Sequence, residues 1–157
     1  MLQRSSFIAS ASVILKLSGL AVAIYLSYTA LIDDGALICG QSGGCHDVQG
    51  SEYSKVAGIP ISLFGLFMYL TLLGLFVTRA QIIHKKYFDS RERLVRNIKI
   101  WSLLIATAGT VYSIYLTAIE AFVLEAWCIW CLASAVIISL IFIVEVIEVK
   151  NINKTTS

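Results

Sequence analysis

Hydrophobic and polar positions along this chain fall into long blocks rather than into an amphipathic repeat. Between Phe7 and Ile32 the only charge is Lys16, and Ile59–Thr78 and Ile100–Ile119 are each uncharged throughout. A fourth apolar block runs from Ala126 to Val144. A helix of about 20 apolar residues crosses the hydrocarbon of a bilayer, so each block predicts a transmembrane span. The expected spans cover residues 10–32, 59–79, 99–120 and 126–147, within one membrane domain at residues 1–150 followed by a short cytoplasmic tail at 151–157. No small-residue cleavage site closes a short apolar region near the start, so the first block is expected to be retained as a span.

The segments between the blocks differ in character. Asp33-Asp34-Gly35 ends the first span, and a glycine-rich stretch follows from Cys39 to Cys45, read as a small flexible loop. Val48, Glu52, Lys55, Val56 and Ile59 put apolar and polar residues on opposite sides of a short helix, expected to lie along the membrane surface. Pro60 is expected in the first turn of the second span, where proline is tolerated. Gly19, Ala23 and Ser27 form a small-residue stripe suited to close helix packing. Lys16 is expected in the first turn of its span, snorkelling to the headgroups. The predicted fold class is an all-α membrane protein: a four-transmembrane-helix bundle with a cysteine-bearing extracytoplasmic loop and a short surface half-helix.

Composition supports this picture. The chain is 58% hydrophobic and 14% charged, too apolar for a soluble domain. No basic excess or nucleic-acid motif points to a nucleic-acid partner. The distribution of charge matters more than its sum. Four spans place both termini on one side, and that side carries eleven of the twelve Lys and Arg residues; only Lys55 falls on the other. The positive-inside rule then makes the termini cytoplasmic and sets both cysteine pairs on the opposite, disulfide-permissive face.

The candidate chemistry lies in four cysteines. Cys128 and Cys131 open the last apolar block. Three apart on a helix they share a face, with Cα atoms roughly 5–6 Å apart, within disulfide range. In a first helical turn, unpaired N–H groups and the dipole favour a thiolate. Cys39 and Cys45 are close enough in sequence to pair as well. Two pairs on one face suit thiol–disulfide exchange: an outer pair meets a soluble partner, then passes electrons to a fixed inner pair. Cys131, about one turn deeper, calls for an acceptor that lives in the bilayer, such as a lipophilic quinone. Other readings stand beside this one. The CxxC pair can serve as two small buried hydrophobes. Four cysteines can hold zinc, although the five residues between Cys39 and Cys45 depart from paired CxxC knuckles. A scaffold with structural disulfides suits the outer pair but leaves the inner one without a task.

Cys39-x5-Cys45, Ser51, Tyr53-Ser54, Gly58-Ile59-Pro60, Phe64-Gly65, Tyr69 and Cys128-Ile129-Trp130-Cys131 together resemble the vitamin K epoxide reductase family, in particular its bacterial members without a fused thioredoxin-like domain. The resemblance implies a four-helix bundle around a quinone, menaquinone or ubiquinone, with no metal. It implies that Cys39 and Cys45 accept electrons from a separate thioredoxin-fold partner, that Cys45 attacks Cys128, and that Cys131 meets the quinone. Ser51, Phe64 and Tyr69 join Cys131 as implied cofactor-binding residues. The implied setting is a bacterial inner membrane with a periplasmic cysteine loop, or alternatively a reticular membrane. Vertebrate members contact vitamin K through an asparagine and a tyrosine where this chain has Ile61 and Ala135, which favours plain quinone reduction over epoxide reduction.

Overall fold

The computed structural model describes residues 2–32, 37–39, 44–84 and 91–155. The Asp33-Asp34-Gly35 span end, the expected flexible loop at 40–43 and part of the basic connection, at 85–90, lie outside the described residues. Four long helices dominate: α1 (Leu2–Leu31), α3 (Ile61–His84), α4 (Arg91–Phe122) and α5 (Ile129–Thr155), with a short α2 (Cys45–Gly50) between the first two. At 1.5 Å per residue, even α3 is about 36 Å long, enough to cross a hydrocarbon core of about 30 Å. Each long helix contains a window apolar enough to span a membrane, yet only 11–22% of the residues in those windows are buried in the protein. The remaining apolar surface faces outward, as lipid as solvent requires. This is the four-helix membrane bundle expected from the blocks.

Each long helix packs against two neighbours, in the cyclic order α1, α3, α4, α5. The bundle core is Ala23 from α1, Tyr69 and Leu72 from α3, Ala106 from α4, and Ile138 and Ile141 from α5. Gly19 of the small-residue stripe sits directly against the Tyr69 ring, where a β-carbon would collide with it. The stripe therefore serves close packing of α1 on α3.

Two local expectations change. The segment from Val48 to Ile59 is not one amphipathic helix. Helix α2 stops at Gly50, a 3₁₀ turn covers Glu52–Ser54, and Lys55–Val56 (β1) pairs antiparallel with Ile59–Pro60 (β2). Ala57 at φ 53° and Gly58 at φ 81° make the two-residue turn between them. Both central residues of such a hairpin need positive φ, which glycine takes freely and alanine only with strain. Pro60 accordingly ends β2, one residue before α3, rather than lying in the helix.

Lys16 does not snorkel. Its side chain is 1% exposed and its Nζ pairs with Glu145 Oε1 of α5 at 2.9 Å, also donating to Ser12 Oγ. Helix α1 begins at Leu2, so Lys16 lies well inside it, where a carboxylate on the facing helix satisfies the charge without a detour to the headgroups. Nearby, Arg79 and Lys99 both reach Glu148. This ionic cluster lies far from the cysteines: fifteen or so residues of α1 and α5 separate the two ends, about 22 Å.

Candidate active site

The site is assembled at the opposite end of the bundle, where α5 begins. Leu132 N–H bonds the Cys128 carbonyl at 3.0 Å, the first bond of the helix. Cys128 is therefore the cap residue. Its Sγ accepts the Cys131 N–H at 3.3 Å, the bond that a capping serine oxygen would accept. This places sulfur at the positive end of the helix dipole.

The four thiols form one connected chain. Cys39 lies beside Cys45, Cys45 beside Cys128, and Cys128 beside Cys131, all within one packed cluster. Cys45 and Cys128 are fully buried, and Leu26, Leu37 and Val48 pack around them. The two central thiols differ in acidity. The Cys131 thiol and backbone N–H hold Cys128 down to about 7, against the opposing effect of burial. Burial, reinforced by the bond to Cys39, pushes Cys45 up to about 12, although the Ile129 N–H works the other way. With the cysteines reduced, Cys128 is thus the more acidic of the two central thiols.

Two features hold the outer pair in this position. Gly44, at the start of α2, lies so close to the segment before α5 that a β-carbon there would stand 2.8 Å from the Trp127 backbone nitrogen. A side chain would push Cys45 away from Cys128. On the other flank, the peptide groups of Ile38, next to Cys39, are held by two aromatic side chains. Ile38 N–H donates to the Tyr25 hydroxyl at 2.8 Å, and Trp130 Nε1 donates to the Ile38 carbonyl at 2.9 Å. The two rings pack against each other at a tilt of 52°, with centroids 4.7 Å apart. Trp130 is thus a clamp on the cysteine segment.

Beyond Cys131 a cavity of about 390 Å³ opens between α1, α3, α4 and the α2 region, within the size range of small-molecule sites. Ala23, Leu26, Phe64 and Met68 give it apolar walls, and Cys131, Ser51, Tyr112 and Glu120 supply polar groups. An oily quinone with polar oxygens fits such a lining. Phe64 is half exposed. Ser51 borders the cavity while its hydroxyl donates to the Val48 carbonyl at 2.7 Å, tying off α2. Ile61 and Ala135 also line the wall. Tyr69 stands behind the wall: it is fully buried in the bundle core, with its hydroxyl 3.2 Å from both the carbonyl and the hydroxyl of Ser134, which lines the cavity. Among the described residues, no group of three or more His, Cys, Asp or Glu side chains is disposed to hold a metal ion.

Sequence reasoning passed over Glu120, the last residue of the third expected span. It is 3% exposed in the last turn of α4. Its carbonyl accepts the Ala126 N–H, which folds the α4–α5 connection back on itself, and Glu125 takes a left-handed φ of 49° in that turn. The reversal brings the Glu120 carboxylate under the start of α5, where Oε2 accepts the Cys128 N–H at 3.1 Å. The same carboxylate faces Cys131, with which it lines the cavity. The only signal in the sequence was a carboxylate eight residues before Cys128 across a tight connection. The vitamin K epoxide reductase family model matches residues 10–146, a stretch that includes all four cysteines and the cavity, and the chain belongs to that family of membrane thiol oxidoreductases linked to quinones.

Proposed function

We propose that this chain is a membrane thiol:quinone oxidoreductase that reoxidises a separate thioredoxin-fold partner and so supports disulfide formation. The observation that carries the reading is the unbroken line of sulfur contacts from Cys39 to Cys131, ending at the cavity. The partner's dithiol reduces a Cys39–Cys45 disulfide. Cys45 then attacks Cys128 of a Cys128–Cys131 disulfide: the Cys45–Cys128 bond forms and Cys131 leaves as a thiolate. Cys39 next displaces Cys128 from Cys45, restoring the outer disulfide. The low pKa of Cys128 makes it the better leaving group in that step. The inner disulfide closes again when two electrons pass from the pair to the quinone, which also takes up two protons.

Positive charge on the side of the termini supports a cytoplasmic location for them and an extracytoplasmic one for the cysteines. Plain quinone reduction is favoured over epoxide reduction because Ile61 and Ala135, which offer no polar side chain, stand on the cavity wall. The test is oxidation of a reduced thioredoxin-fold protein by the purified chain with added quinone. Cys131→Ala should bring turnover to background and accumulate the Cys45–Cys128 disulfide. Undiminished turnover in that variant would overturn the reading.

A further inference from the structure

A buried carboxylate is costly to keep charged unless a cation or several donors satisfy it. At the far end of the bundle that condition is met: Glu145 faces Lys16, and Glu148 faces Arg79 and Lys99. Glu120 is as deeply buried, yet no lysine, arginine or histidine among the described residues forms an ion pair with it. Its partners are a backbone N–H and a thiol. It also lines the cavity, beside Cys131. A packing or capping role accounts for the bond to the Cys128 N–H but not for a buried carboxylate that lines the cavity together with Cys131. Thiol-to-quinone electron transfer requires protons to move over the same path. A group able to hold one, in contact with both donor and acceptor space, belongs at this position.

We propose that Glu120 is a catalytic acid–base residue of the inner pair, an inference that rests on the function proposed above. When Cys45 opens the inner disulfide, Cys131 leaves as a thiolate and the Glu120 carboxyl protonates it. When the disulfide closes, the Glu120 carboxylate takes the Cys131 proton as the two electrons of the dithiol pass to the quinone. Glu120 then delivers that proton to a quinone oxygen, and the second proton reaches the other oxygen from solvent. The Cys128 thiolate and Cys131 thiol become the disulfide, the quinone becomes the hydroquinone, and the Glu120 carboxylate takes up a proton from solvent to restore the carboxyl that begins the next cycle.

Glu120→Gln keeps an oxygen for the Cys128 N–H and removes the exchangeable proton, so it separates the two roles. General acid–base groups contribute about 10²–10⁴-fold, so kcat for quinone reduction should fall by about 10²-fold or more, with KM for the quinone little changed. The melting temperature in detergent should stay near that of the wild type. In Glu120→Ala, added small carboxylates should restore part of the rate, more so with increasing basicity. A Glu120→Gln protein with wild-type kcat, or a Glu120→Ala protein indifferent to carboxylates, would overturn the inference while the proposed function stands. A wild-type protein inactive with every quinone would remove both.

Discussion

The two ends of the bundle bury the same kind of side chain for different ends. At the end holding the charged cluster, Glu145 and Glu148 are paired with cations, and the Phe76 ring lies 5.3 Å from the Lys16 ammonium and 5.2 Å from the Arg79 guanidinium. These carboxylates are fixed charges that tie α1 and α3 to α5. At the cysteine end Glu120 meets a thiol instead, and the aromatic residues Tyr25 and Trp130 grip a peptide rather than a cation. A charge neutralised by a permanent partner has no proton to exchange. A carboxyl beside a sulfur does, and that distinguishes the end that holds the bundle from the end that reacts.

The largest expected effect breaks the first half of this comparison. Removing one member of a buried ion pair costs about 3–5 kcal/mol, whereas replacing both by apolar groups of similar size is often neutral. Glu145→Ala should therefore lower the melting temperature in detergent sharply, and Lys16→Met with Glu145→Leu should recover most of the loss. Equal melting temperatures for the single and double variants would mean that the pair does not hold the bundle. Glu145 Oε2 is buried without a hydrogen-bond partner among the described residues, and removing that unsatisfied atom favours recovery in the double variant.

The next effect sharpens the second half. Cys128 is held at about 7, first by the Cys131 thiol. In a protein with Cys39 and Cys45 changed to serine, thiolate absorbance should rise as pH increases through this region and fade as pH is lowered. Adding Cys131→Ala should move the transition upward, toward the ordinary value of 9.0. A full return would correspond to roughly 2.7 kcal/mol. An unmoved transition would assign the acidity to the helix start alone. The smallest effect concerns the clamp. Trp130→Phe keeps the ring against Tyr25 but loses the bond to the Ile38 carbonyl, worth about 1 kcal/mol. Oxidation of the partner should slow about 5-fold. No change would show that Tyr25 suffices to hold the segment.

Much of the molecule was legible one dimension at a time. Four apolar blocks predict four membrane helices because length and hydrophobicity are local properties. The CxxC pair predicts two sulfurs at a helix start because the spacing and the onset of the block are local too. Within that local reading the hairpin at Ala57-Gly58 was still missed, since alternating polar and apolar residues fitted a helix face as well.

What the sequence by itself determined is the number of spans, the gathering of four cysteines on one side, and a resemblance carried by their spacing. Only the tertiary structure decided which faces of the helices look inward. An all-round apolar helix has no polar face to orient it, so no pattern could turn Lys16 into the bundle, seat Tyr69 in the core behind Ser134, or set Ile61 and Ala135 on the cavity wall. Nor could it bring Glu120 to Cys131, because that contact depends on how a six-residue turn closes between two helices. In a lipid-facing bundle, packing between helices supplies the orientation that amphipathicity supplies in water.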